Sequence, residues 1–218
     1  MTVQTSGVAD VVLREWGAPA ERADVAVLTV HGRGQHPDFM RAVSERFGAT
    51  PVRFYAPRAQ QQSWYPQSFL APLAQNQPVL DRSLEMLDSC LDTVTERGFP
   101  AERVVLWGFS QGACLLAHHL CTKPQCYAGV LLFTGGYLGP EQLPRPAGEP
   151  LRGMSTVLRS RHDDPWVPPH RVAETALLLN SMGSLLDLRI EAGEEHVITD
   201  EACRTATNLL RTCSSGET

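Results

Sequence analysis

Gly108-Phe109-Ser110-Gln111-Gly112 sets a serine between two glycines, at the end of an apolar run and the start of a helical pattern. The spacing G-x-S-x-G suits a sharp strand-to-helix turn, in which a strained backbone projects the serine hydroxyl and small neighbours let chain segments approach. A serine hydroxyl is a weak nucleophile near neutral pH and needs a base, itself oriented by an acid. Downstream the chain offers Asp163 and Asp164, and then His196. Serine, acid, histidine is one of the chain orders in which such sets occur. Asp164 is the expected acid, because Pro165 biases its backbone to an extended form, whereas Asp163 reads as a solvated turn residue. The chemistry expected is attack of Ser110 on a carbonyl, with His196 as base. Charge developing on that oxygen needs two backbone N–H donors. Gln111, directly after the serine, supplies one; Arg33, within His31-Gly32-Arg33-Gly34, supplies the other.

The remaining histidines are expected elsewhere. His118 and His119 lie eight and nine residues beyond Ser110, about 12 Å or more along a helix rising 1.5 Å per residue. His162 adjoins the acid but breaks the order, and His170 reads as surface. His36 follows Gly34, so a place near the site is one reading. Trp64, Tyr65, Phe69 and Trp166 are the expected substrate-binding walls, with packing of the loop onto the domain as the alternative. The side chains of Arg33 and Arg58 read as exposed arginines rather than as partners for a carboxylate.

The elements that must position these residues follow from pattern. Apolar runs at Val25–Val30, Arg103–Trp107, Ala128–Phe133, Thr156–Leu158 and Leu185–Ile190 are closed by glycines or charged turns, as in buried parallel strands. Val8–Trp16 reads as an edge strand. Leu80, Leu84, Leu87, Leu91 and Val94 share one helix face. Further helices are expected over Phe39–Phe47, Gly112–Cys121, Arg171–Met182 and Glu201–Leu210. Gln60–Pro78 and Pro140–Pro150 read as loops, and Ser214–Thr218 as a frayed tail. Alternating strands and helices imply an α/β fold with a mostly parallel, doubly wound sheet. Ser110, Asp164, His196 and His31 all follow different strands, on the rim where open α/β sheets gather ligands.

Composition narrows the function classes. The 218 residues suit one domain over 1–218, without a large cap. Hydrophobic residues make up 43% and charged residues 20%, which is a globular balance. A net charge of −5 argues against a nucleic-acid backbone as partner. The six cysteines contain no CxxC pair, so reduced thiols are expected and no metal. Met1–Asp10 lacks the basic and apolar regions of a secretory signal, and no run of 18 apolar residues occurs. A cytoplasmic protein with no membrane span is the default expectation. Homodimer formation stays open.

Together these motifs resemble the phospholipase/carboxylesterase family of α/β-hydrolases, which includes the acyl-protein thioesterases. The matching stretches are His31-Gly-Arg-Gly34, Gly108-Phe-Ser-Gln-Gly-Ala113, Asp164-Pro-Trp-Val-Pro168 and Gly193-Glu-Glu-His196. They run in order along almost the whole chain. The resemblance implies an α/β-hydrolase fold, Ser110 as nucleophile, Asp164 as acid, His196 as base, N–H donors at Arg33 and Gln111, and no cofactor. It implies a serine carboxylesterase acting on small or medium acyl or aryl esters. Thioesterase, lysophospholipase and dienelactone-hydrolase-like activities are the neighbouring alternatives, and a non-catalytic binding module is the alternative of another class. Two features depart from the thioesterases: Arg33 stands where they usually carry leucine, and Ser63-Trp-Tyr-Pro66 looks more like bacterial esterases.

Overall fold

The computed structural model describes residues 12–48 and 50–215. Seven strands form one sheet: β1 (Arg14–Gly17), β2 (Val25–Val30), β3 (Val52–Ala56), β4 (Val104–Phe109), β5 (Gly129–Phe133), β6 (Ser155–Arg161) and β7 (Leu185–Glu191). Their spatial order is β1-β3-β2-β4-β5-β6-β7. β1 runs antiparallel to β3, and every other pairing is parallel. Among the described residues the α-helices are α1 (Pro37–Ser44), α2 (Leu73–Asn76), α3 (Val79–Glu96), α4 (Gln111–Thr122), α5 (Pro169–Ser181) and α6 (Asp200–Ser215).

Side chains alternate across the sheet as the two-residue strand repeat requires. Val25 and Val27 of β2 enter one core with Trp107 of β4, Met40 of α1 and Ala206 of α6. Ala26, Leu28 and Val30 enter the opposite core with Leu106, Leu87 of α3, Leu116 of α4 and Val172 of α5. Both faces are covered: every residue of β2, β4 and β5 is buried, so their runs are mainly apolar rather than alternating. From β2 the chain adds β3 on one side, then crosses back to add β4 on the other. The crevice between the carboxyl ends of β2 and β4 is therefore the topological switch point, where such sheets take ligands.

Several boundaries differ from the sequence reading. Among the described residues the edge strand spans Arg14–Gly17, and the part of the expected strand at residues 8–11 lies outside them. α1 starts earlier, with Pro37 in its first turn, and stops at Ser44. α6 continues to Ser215, because Leu210 and Cys213 extend the buried stripe of Cys203 and Ala206. Ser214 and Ser215 are thus helical, and residues 216–218 are not described. Gln60–Pro78 is not all loop. It holds a short 3-10 turn at Gln60–Gln62 and the single turn of α2. Buried Asn76 organises that segment by accepting from the Gln67 N–H at 2.8 Å and donating to the Ser68 carbonyl at 3.0 Å.

Arg159 of β6 ties the strand to its neighbours. Its guanidinium donates to Glu201 of α6 at 2.8 Å and to Asp187 of β7 at 2.7 Å, and only 7% of its side chain is exposed. Burial pushes the Glu201 carboxyl up, but the hydrogen bonds from Arg159 and Thr205 outweigh it and hold it below its usual value. A lowered folded-state value gives stability that is present above the unfolded value and lost as the pH falls through the folded one. Glu201→Gln is therefore expected to cost about 1.5–3 kcal/mol in urea unfolding at pH 7, the usual range for a hydrogen bond to a charged group. That difference should narrow as the pH is lowered below 4.5, where wild type loses the same charge. A difference independent of pH would count against the ion pair as its source.

Candidate active site

Ser110 joins β4 to α4 with φ 52° and ψ −120°, a region L-residues seldom adopt and which costs about 1–3 kcal/mol. The turn survives because the segments around it pack without room for side chains. A Cβ on Gly112 would lie 2.1 Å from the Val30 carbonyl oxygen at the end of β2, and one on Gly108 would lie 2.6 Å from Cα of Ala113. The Ser110 N–H donates to the Phe133 carbonyl of β5 at 2.9 Å, and its own carbonyl accepts from the Cys114 N–H at 2.9 Å. The strained residue is thus clamped by β2, β5 and its own helix.

His196 and Asp164 complete a chain of contacts. His196 Nε2 lies 2.7 Å from Ser110 Oγ, and Nδ1 lies 2.7 Å from Asp164 Oδ2. Asp164 follows β6, and His196 lies in the connection between β7 and α6. The other carboxylate oxygen, Oδ1, accepts from the N–H groups of Trp166 at 2.9 Å and Val167 at 3.0 Å. Burial pushes the Asp164 carboxyl up, but the hydrogen bond from His196 and those backbone donors outweigh it and hold it below its usual value. A carboxylate can only accept, so Nδ1 carries the ring proton and Nε2 is left to accept from the Ser110 hydroxyl. Phe109 packs on the ring with centroids 5.2 Å apart. Asp163 instead pairs with His162 at 2.8 Å in an exposed turn.

The His31–Gly34 turn stands directly against the serine, since a Cβ on Gly32 would lie 3.2 Å from Cβ of Ser110. Among the described residues, neither the Arg33 nor the Gln111 N–H has a hydrogen-bond acceptor within the chain. Side chains the sequence reading gave no such task hold this region in place. His31 is fully buried, and burial pushes its pKa down. It is therefore neutral. Nδ1–H donates to the Gly32 carbonyl at 2.8 Å, while Nε2 accepts from the Ala59 N–H at 3.2 Å. The Gln111 amide accepts from the Trp64 N–H at 2.9 Å and donates to the Tyr65 carbonyl at 2.7 Å. The glycines around His31 marked the turn in the sequence. Nothing there showed which backbone groups these side chains would meet.

A cavity of about 550 Å³ opens above Ser110 and His196, with Tyr65, Phe69, Trp166 and Val167 among its walls. Tyr65, Phe69 and Trp166 thus reach the place expected of them, and Trp166 is 71% exposed at the rim. Trp64 does not reach it. Its indole is buried, donates to the His31 carbonyl at 2.8 Å and packs on the His31 ring, so it props the turn from behind. Cys114, one helical turn beyond Ser110, also borders the cavity, and burial pushes its thiol up to about 12, which leaves it protonated and a poor nucleophile. His36 and Arg58 line a separate depression with Asp38. His118 and His119 are buried in α4. Among the described residues, no cluster of three or more His, Cys, Asp or Glu could hold a metal ion.

A family model described as Phospholipase/Carboxylesterase matches residues 17–214. The chain belongs to that family. A solved phospholipase/carboxylesterase from Dyadobacter fermentans is 31% identical and superposes with a TM-score of 0.86, over 92% of this chain and 96% of that one. The esterase PE8 structure, 22% identical with a TM-score of 0.78, covers 94% of this chain and 100% of its own, and shows the shared fold. Acyl-protein thioesterase 1 of Schizosaccharomyces pombe is 25% identical over 143 residues, a match spanning 64% of this chain and 63% of that protein. The chain therefore aligns with less than two thirds of that relative's length.

The strain at Ser110 has a measurable signature. Alanine is usually more stabilising than glycine in and around helices, but at positive φ the order reverses. Ser110→Gly should be more stable than Ser110→Ala by about 1–2 kcal/mol in urea unfolding. Equal stability, or the usual order, would mean that the turn is not strained in solution.

Proposed function

We propose that the protein is a serine hydrolase that cleaves carboxylic esters of small or medium acyl or aryl groups through an acyl-enzyme. The observation that carries this reading is the contact series Ser110 Oγ to His196 Nε2 and His196 Nδ1 to Asp164 Oδ2, each 2.7 Å. Nucleophile, base and orienting acid stand within hydrogen-bond reach of one another. As Oγ attacks the ester carbonyl, Nε2 takes the hydroxyl proton. Asp164 stays ionised and stabilises the imidazolium through Nδ1–H. The N–H groups of Arg33 and Gln111 receive the developing oxyanion. His196 then returns the proton to the departing alkoxide, the alcohol leaves, and Ser110 holds the acyl group. A water activated by the same nitrogen releases the acid.

The cavity fits that substrate class. At about 550 Å³ it falls within the roughly 300–1,000 Å³ range of small-molecule sites, with aromatic walls for an acyl or aryl group. Thioester cleavage is a second reading, favoured by the similarity to the fission-yeast acyl-protein thioesterase. The same residues would serve it, since the attacked atom is again a carbonyl carbon.

Hydrolysis of a short-chain aryl ester tests the proposal. Ser110→Ala should lower kcat by about 10⁵–10⁶ with little change in fold, as loss of a triad nucleophile does elsewhere. Asp164→Asn should lower it about 10⁴-fold, because an amide at that position favours the wrong ring tautomer. Equal activity of wild type and Ser110→Ala would rule the assignment out.

A further inference from the structure

We propose that the Arg33 guanidinium is an anion subsite of the cleft, so that the preferred esters carry a free carboxylate a few bonds from the scissile carbonyl. This deepens the esterase reading and rests on it. Among the described residues bordering the cavity, Arg33 is the one permanently charged side chain. No carboxylate pairs with it among them. Asp164, the nearest acid in the catalytic chain of contacts, has a fully buried side chain behind His196. The protein is acidic overall, at −5, yet this cleft wall is positive.

The guanidinium is also held still. It donates to the Pro66 carbonyl at 2.7 Å, the Tyr65 carbonyl at 3.0 Å and the Gln67 carbonyl at 2.6 Å, and it lies 5.9 Å from the Tyr65 ring centroid. Those acceptors are neutral, so they orient the cation without cancelling its charge. A guanidinium has five N–H donors; three meet these carbonyls, and the other two have no acceptor among the described residues. Much of the rotamer entropy an arginine would lose on gripping an anion is already lost in the free protein. A loop clip alone would need hydrogen-bond donors but no net charge. Arg33 and Ser110 border the same cavity, so an anion on the guanidinium and the reacting carbonyl would occupy one site.

Matched esters test this. 4-Nitrophenyl hydrogen adipate and 4-nitrophenyl hexanoate differ chiefly in a terminal carboxylate. Wild type should prefer the adipate ester in kcat/KM, mainly through a lower KM, and added sodium chloride should weaken the preference. Arg33→Gln keeps donors for the 65–67 carbonyls but removes the charge. It should reduce the adipate-to-hexanoate ratio by roughly 10–100-fold, the usual effect of one charge-assisted hydrogen bond. Arg33→Lys should restore part of it. Binding in a Ser110→Ala background separates failure of this inference from failure of the esterase reading. There the adipate ester should bind roughly 10–100-fold more weakly once Arg33→Gln is added, whether or not the parent hydrolyses esters. Equal binding, or a hydrolysis ratio unchanged while both rates fall together, would overturn the subsite and leave Arg33 as a loop clip.

Discussion

The start of α4 is pressed against the end of β2 so closely that Gly112 has no room for a Cβ. That contact at the switch point of the sheet governs the arrangement around it. It forces the β4–α4 connection through one left-handed residue, Ser110, and turns its hydroxyl into the crevice rather than along the helix. Because β2 and β4 are neighbours, the same contact brings the His31–Gly34 turn to the serine. The parallel order then delivers Asp164 from the end of β6 and His196 from beyond β7. Sheet geometry thus converges residues that are 86 positions apart in sequence.

Rigidity in this site comes from polar side chains turned inward on backbone groups. His31, Gln111, Trp64 and Arg33 each bind main-chain atoms of a facing segment. Together they tie the turn after β2 and the start of α4 to the stretch at 59–67. Buried polar groups are stabilising only when they are satisfied, and here the donors and acceptors match across the two segments. The arrangement leaves the Arg33 and Gln111 N–H groups without an acceptor among the described residues. Preorganised donors of that kind cost no reorganisation when charge develops.

The doubly wound sheet and the places of Ser110, Asp164 and His196 could be read from the sequence. Their information is local: glycine-bounded apolar runs, an elbow spacing and a proline after the acid. Helix ends were read less well, because they depend on tertiary contacts such as the one that carries α6 to Ser215. For Trp64 the sequence leaves the wall and packing roles equally open, for a related reason. Aromatic residues beside a cleft face it or support it according to backbone direction, and nothing in the Ser63–Pro66 residue types encodes that direction. Arg33 is exposed, as its sequence context suggests. Only the fold shows its charge fixed by three carbonyls on the cavity wall.

The central claim is that Ser110 is the activated nucleophile of this constellation. A fluorophosphonate probe reads that directly, because it modifies a serine only where a base and oxyanion donors act together. Intact-mass measurement followed by peptide mapping should show a single adduct on Ser110, slowed sharply by His196→Ala. An adduct at any other residue, or native protein that the probe leaves unmodified, would contradict the account.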